Sequence, residues 1–125
     1  HADKAWPDTV FEATRVPEMF FVAQSMIQES LASFERNDRK MVSTLFGMDE
    51  KLDKINNDIT PIISRLIKDN PDDIPMLLDL FSIIRKLERA GDHITNIAEE
   101  LVFYFDAIIV KHSKLQKNKP ASGSK

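Results

Sequence analysis

The chain predicts an all-α fold, an antiparallel three-helix bundle, on three observations. Gly is scarce, at 3 of 125 residues, while Leu, Ile, Lys, Glu and Asp are abundant, a composition that favours helices over tightly turned sheets. Two long stretches carry apolar residues at alternating spacings of four and three. Two polar breaks, Arg36-Asn37-Asp38 and Asn70-Pro71-Asp72-Asp73, divide the chain into helix-sized pieces.

The first helix is placed at 17–36. Pro17 suits a first helical turn, and Phe20, Ala23, Ile27, Leu31 and Phe34 recur on one side as its expected inner face. The second runs over 38–69, with Asp38 as its expected N-cap. Its seam reads Met41, Leu45, Met48, Leu52, Ile55, Ile59, Ile62, Leu66. The seam passes through Pro61, so that residue reads as a kink and not as an end. Asn70 suits a left-handed C-terminal position, Pro71 stops the helix, and an Asp caps the next. The third helix spans 72–112, with the seam Leu77, Leu80, Ile84, Leu87, Gly91, Ile94, Ala98, Leu101, Phe105, Ile108. Gly91 and Ala98 on that seam allow a neighbour to approach closely. Short connections make successive helices antiparallel. The expected organisation is an N-terminal segment, 1–15, containing Trp6 and Phe11 and read as a strapped-on piece or short helix; the bundle, 16–112; and a basic, disordered tail, 113–125.

Composition also excludes. With no Cys, disulfide scaffolds, thiolate metal sites and cysteine nucleophiles are absent. No apolar run approaches the ~20 residues needed to cross a bilayer, and the opening residues do not read as a signal peptide. The net charge of −3 argues against nucleic acid as a partner. From Lys111 onward there are five lysines and no acid, so the preceding body is markedly more acidic than the whole chain.

That acidity is organised. Beside the seam of the second helix runs a stripe, Val42, Phe46, Asp49, Asp53, Asn56, Thr60, Ile63, Ile67, apolar at its ends and acidic-polar in the middle. The third helix carries a matching stripe: Phe81, Arg85, Glu88, Asp92, Thr95, Glu99, Val102. Asp53 and Glu88 lie equally far from the loop centre between Asn70 and Pro71, and so do Asp49 and Asp92. Folding the hairpin therefore brings two i, i+4 acid pairs to one height on one side. Four close carboxylates repel unless some are protonated or a cation sits among them. Oxygen donors suit Mg²⁺, Mn²⁺, Ca²⁺ or iron in a carboxylate-rich cluster. The plainer alternative is a solvated acidic face partnered by Arg85, Arg89 and lysines.

The segment Glu88-Arg89-Ala90-Gly91-Asp92-His93-Ile94-Thr95-Asn96-Ile97-Ala98-Glu99 resembles the signature of the PhoU family, bacterial regulators of phosphate uptake, which reads approximately E-R-x-G-D-H-x-x-N-I-A-E. The D-x-x-x-D of Asp49 and Asp53 is similar to a motif on the family's preceding helix. The likeness covers about 16–112, room for one of the family's two three-helix repeats, and is to the C-terminal one. What it implies is a metal-binding helical adaptor, not an enzyme. It would be cytoplasmic and peripheral to the membrane, linking a phosphate ABC transporter to a sensor histidine kinase in phosphate-starvation signalling. Carried over residue by residue, the metal ligands are Asp49, Asp53, Glu88 and Asp92, with Asn96 and Glu99 assisting. Their cargo is a metal ion or multinuclear cluster, with iron, zinc, manganese and magnesium left open. A homodimer is among the assemblies the resemblance leaves open, with Phe20, Phe21, Phe103, Tyr104 and Phe105 assigned to the core or to subunit packing.

Two other classes are weighed. A carboxylate-bridged metal enzyme usually carries Glu-x-x-His pairs, and no Glu here has a His three residues on. A histidine-phosphotransfer domain using His93 needs a Lys and a Gly on the same face after the His, and that arrangement is missing. His93 is also offset by about 100° from Asp92 around the helix, which reads as a residue at the surface or just behind the acidic group. Ser and Thr are scattered without a paired base.

Overall fold

The computed structural model describes residues 6–117. Four α-helices follow one another: α1 (Asp8–Thr14), α2 (Val16–Arg36), α3 (Met41–Asp69) and α4 (Ile74–Lys117), with a 3₁₀ turn, Pro71–Asp73, before α4. No strand occurs among the described residues, so the chain is all-α. The helices α2, α3 and α4 form the up-down-up bundle, and α1 packs on α2 and α3.

Each boundary has a local cause. Arg15 takes a left-handed conformation (φ 61°) between α1 and α2, and its N–H bonds the Phe11 carbonyl at 2.9 Å. Its guanidinium also grips Glu18 at 2.7 Å in the first turn of α2. Asn37 closes α2 in the same way (φ 53°), with Asp38 N–H reaching back to the Ser33 carbonyl at 2.9 Å. Asp38 does not cap α3 as expected. Its carboxylate instead accepts from the Lys40 N–H at 2.9 Å, an Asx turn that delays α3 to Met41. Asn70 is not left-handed either (φ −135°). Its backbone N–H and side-chain amide both donate to the Leu66 carbonyl, at 2.9 and 3.0 Å, which satisfies the helix end without that geometry. α3 runs on through Pro61. α4 continues to Lys117, five residues past its expected end. The remainder of the expected tail, and residues 1–5, lie outside the described residues.

The seams of α3 and α4 supply the core. Met41, Leu45, Leu52, Ile55, Ile59, Leu77, Leu80 and Ile84 are fully buried, and Ala98 and Phe105 extend the core toward the far end. In the opening segment, α1 buries Val10 and Thr14, while Trp6 and Phe11 pack against each other with ring centroids 5.5 Å apart.

The inner face of α2 is a correction. Of the five residues expected inside, only Ala23 is buried; Phe20, Ile27, Leu31 and Phe34 are 45–60% exposed. The buried face is Val16, Met19, Val22, Ala23, Met26 and Ser33. The helix is apolar on two sides, and the fold turns inward the side that carries Met19, Val22 and Met26. Of the aromatic set assigned to the core or to subunit packing, Phe105 is buried, whereas Phe20, Phe21, Phe103 and Tyr104 are exposed.

The glycines carry an opposed pair of expectations. A Cβ on Gly47 would meet nothing within 4 Å, whereas one on Gly91 would fall 2.5 Å from Asp49 Oδ1 and 2.6 Å from Leu52 Cδ1. Gly47→Ala should therefore stabilise by about 0.5–1 kcal/mol through helix propensity. Gly91→Ala should destabilise by about 1–2 kcal/mol, overpacking outweighing the same propensity gain. Urea midpoints moving in opposite directions for the two variants are the expected readout.

Candidate metal centre

The acidic stripes of α3 and α4 do meet. One carboxylate oxygen each from Asp49, Asp53 and Asp92 lies within 4.8 Å of the others. Asp49 is the innermost, 7% exposed, on the floor that Gly91 leaves open; Asp53 and Glu88 are half-buried and Asp92 faces solvent. The absence of a side chain at Gly91 is thus what allows a carboxylate to sit between the two helices. The neighbouring turn of α4 is held by Thr95, whose buried hydroxyl donates to the Gly91 carbonyl at 3.0 Å.

No basic group among the described residues pairs with this charge: no ion pair there reaches Asp49, Asp53, Glu88 or Asp92. Arg85, a neutralising partner in the plainer alternative, lies over the Phe81 ring at 4.9 Å. Arg89 is exposed and forms no ion pair with the group. Asp49 Oδ1 is buried without any hydrogen-bond partner, and so is Asn56 Oδ1, on the same stripe as Asp53.

The electrostatic consequence is strong. Burial pushes the Asp49 carboxyl up to about 7, helped by the charge of Asp53, by hydrogen bonding to and the charge of Asp92, and by Glu88. Burial likewise raises Glu88 to about 7, with Asp92 and then Asp53 adding to it. The group therefore competes for protons near neutrality, as clustered carboxylates without a counter-ion must. A buried, unpartnered carboxylate oxygen within reach of two other carboxylates fits a hard or borderline divalent cation, which would supply the missing positive charge and take up the orphaned lone pairs.

Of the remaining expected ligands, Glu88 is half-buried beside Asp92 and Asp53 but outside the close group of three, and Asn96 and Glu99 are exposed, one and two turns beyond Asp92 on α4. His93 is exposed and likewise outside it. What sequence reasoning missed is the orphaned Asn56 oxygen. Its position in the polar stripe, three residues after Asp53, was the available signal.

The fold is a helical hairpin whose facing helices each contribute acids to one cluster, with a further helix packed against it. The PhoU domain profile matches residues 16–101. The chain belongs to the PhoU family. It is similar to the phosphate-specific transport system accessory protein PhoU homolog of Pseudomonas aeruginosa, 29% identical over 96 residues, covering 77% of this chain and 40% of that protein. It is also similar to PhoU homolog 1 of Thermotoga maritima, 27% identical over 86 residues (69% of this chain, 37% of the relative). The homolog of Borreliella burgdorferi is 28% identical over 86 residues, with 69% and 39% covered. The chain thus spans about two fifths of the length of the curated relatives it matches. No solved structure gives a significant match.

Proposed function

We propose that the chain is a metal-responsive regulatory module of a phosphate-uptake system, acting by contact and not by catalysis. The reading is supported by family membership and by relatives that are named as accessory proteins of phosphate-specific transport. The observation that carries it is the carboxylate group between α3 and α4, with its orphaned Asp49 oxygen and no basic partner among the described residues. Asp49, Asp53, Glu88 and Asp92 would hold the ion or cluster, and Asn96 and Glu99 would stand at its rim. The donors are oxygens, so magnesium, manganese and iron suit the site best, and zinc is accommodated with less preference. When bound, the cation neutralises the acids; the residues themselves fix the spacing of α3 against α4 and so shape the surface offered to a partner.

The working place of such a module is the cytoplasmic side of the membrane, where it links a phosphate ABC transporter to its sensor histidine kinase. No helix among the described residues is long and apolar enough to cross a membrane, in keeping with a peripheral position. The test has two parts. Protein purified without chelators is analysed for metal by mass spectrometry, and its binding to the purified transporter and kinase is measured with and without that metal. Metal-dependent retention by either partner, lost in the Asp53→Asn/Glu88→Gln double variant, is the expected result. Equal retention of both proteins in the presence of chelator would defeat the proposal.

A further inference from the structure

The far end of α4 carries charge of the opposite sign to the rest of the chain. All 20 Asp and Glu residues precede Lys111, and from there the sequence holds five lysines and no acid. Phe103, Ala107, Val110 and Lys114 follow one another at spacings of four, three and four. Helical geometry gathers them within about 60° on one face. That face is open: Phe103 is 80% and Val110 54% exposed, and Ala107, Lys111 and Lys114 face solvent. Together with Asp106 they border an open depression of about 510 Å³. Asp106, the one acid along it, is held by Arg39 at 3.0 Å. Neither lysine enters an ion pair among the described residues.

We propose that this face of α4 is a docking surface for an anionic lipid membrane, with Phe103 and Val110 entering the headgroup layer and Lys111 and Lys114 meeting lipid phosphates. The arrangement of side chains selects a lipid surface over other anions. Nucleic acid or an acidic protein is met by cations alone, whereas here the cations share one helical face with Val110 and with Phe103, the most exposed large hydrophobic side chain among the described residues. A basic face interleaved with aromatic and aliphatic residues is the pattern of helices that lie in a membrane interface. Lysine also suits that setting, because its stem covers apolar surface while the ammonium stays at the level of the phosphates. Charge order along the helix sets the pose. Glu99 and Glu100 come one turn before Phe103, and the lysines come after Val110. The last turns therefore tilt toward the anionic surface and the acidic body points away from it. Access is free, since no described residue after Phe105 is buried and a flat surface reaches these turns without displacing the bundle. Lys117, Lys119 and Lys125 follow in the sequence and add to the attraction. Neither the carboxylates nor the regulatory role enters into this contact, so its failure would leave both untouched.

The test is co-sedimentation of the chain with phosphatidylcholine vesicles, either pure or containing about one third phosphatidylglycerol. Binding to the anionic vesicles alone is expected, and it should fall as salt rises past ~0.1 M. The Lys111→Gln/Lys114→Gln variant should bind about 25-fold more weakly, at about 5-fold per lysine. Phe103→Ser should cost about tenfold. Helical circular dichroism should not change, because all three side chains are exposed. Lys68→Gln/Lys86→Gln removes the same charge from exposed positions elsewhere and should bind like wild type. Anionic vesicles should also slow amide exchange over 107–117 and leave the rest of the bundle as it was. A chain that ignores anionic vesicles at millimolar lipid overturns the proposal, even if it then binds polyglutamate or single-stranded DNA. So does binding that survives the Lys111 and Lys114 substitutions. Binding indifferent to Phe103→Ser overturns it too, since the contact would then be one of charge alone.

Discussion

Adding a divalent cation that the carboxylate group binds should raise the thermal midpoint of the wild-type chain by about 10 °C at a hundredfold excess over its dissociation constant. That excess is worth ~2.7 kcal/mol by mass action, and ~1 kcal/mol moves the midpoint of a domain this size by about 4 °C. In the Asp53→Asn/Glu88→Gln variant the increment should vanish. Without metal, the variant should melt at the same temperature as wild type or higher. The apolar seams, not these acids, hold the bundle, and the substitution removes repulsion that Asp49 and Asp92 otherwise feel from Asp53 and Glu88. Identical metal responses in the two proteins would reduce the four carboxylates to a solvated face.

Metal-free protein should lose stability as pH rises from about 4.5 to 7. Asp49 and Glu88 both hold their protons to about 7 in the folded chain, whereas in the unfolded chain such groups titrate near ~4. Between those limits the native state binds protons that the unfolded state has released, so stability falls with rising pH. Below ~4 both states are protonated, and above 7 the penalty is complete. Because the two groups titrate as a coupled set and Glu88 is partly solvated, the whole effect is on the order of 2–3 kcal/mol. Metal competes with those same protons, so its stabilising increment should be larger at pH 8 than at pH 6. Urea titrations across that range, with chelator and with metal, read both trends. A stability that increases steadily from pH 5 to 8 without metal would contradict the raised carboxyls.

How much of this was legible in the sequence differs from helix to helix. α3 and α4 each carry one continuous apolar seam, and the short Asn70–Asp73 connection fixes their register. The meeting of Asp49 and Asp53 with Asp92, and the need for small Gly91 opposite them, could therefore be read from spacing. α2 could not be read that way. It has two apolar sides, and side-chain bulk points to Phe20, Ile27, Leu31 and Phe34, whereas the fold buries Met19, Val22 and Met26. Which side turns inward is decided by the shape of the α3–α4 surface, which no pattern within α2 encodes. Helix starts were misread where Asp38 satisfied a nearby backbone N–H in a turn and left α3 uncapped. The alternative in which Arg85 neutralises the acids is disfavoured because an aromatic face in its own stripe, Phe81, lies one turn away and holds the guanidinium.

The length of α4 has a consequence for how the molecule comes apart. α3 begins opposite residue 100 or so of α4, and Arg39, in the α2–α3 connection, reaches no further than Asp106, at 3.0 Å. Beyond Val110 every described side chain is exposed. A helical segment of two turns has little stability of its own, so the last turns of α4 open and close independently of global unfolding. Amide protons there should exchange with solvent on a fast clock, while those around Leu52 and Ile84, both fully buried, should wait for the bundle to open. The described part of α4 is therefore graded, from a cooperative unit at the carboxylates to exposed last turns at Lys111 and Lys114.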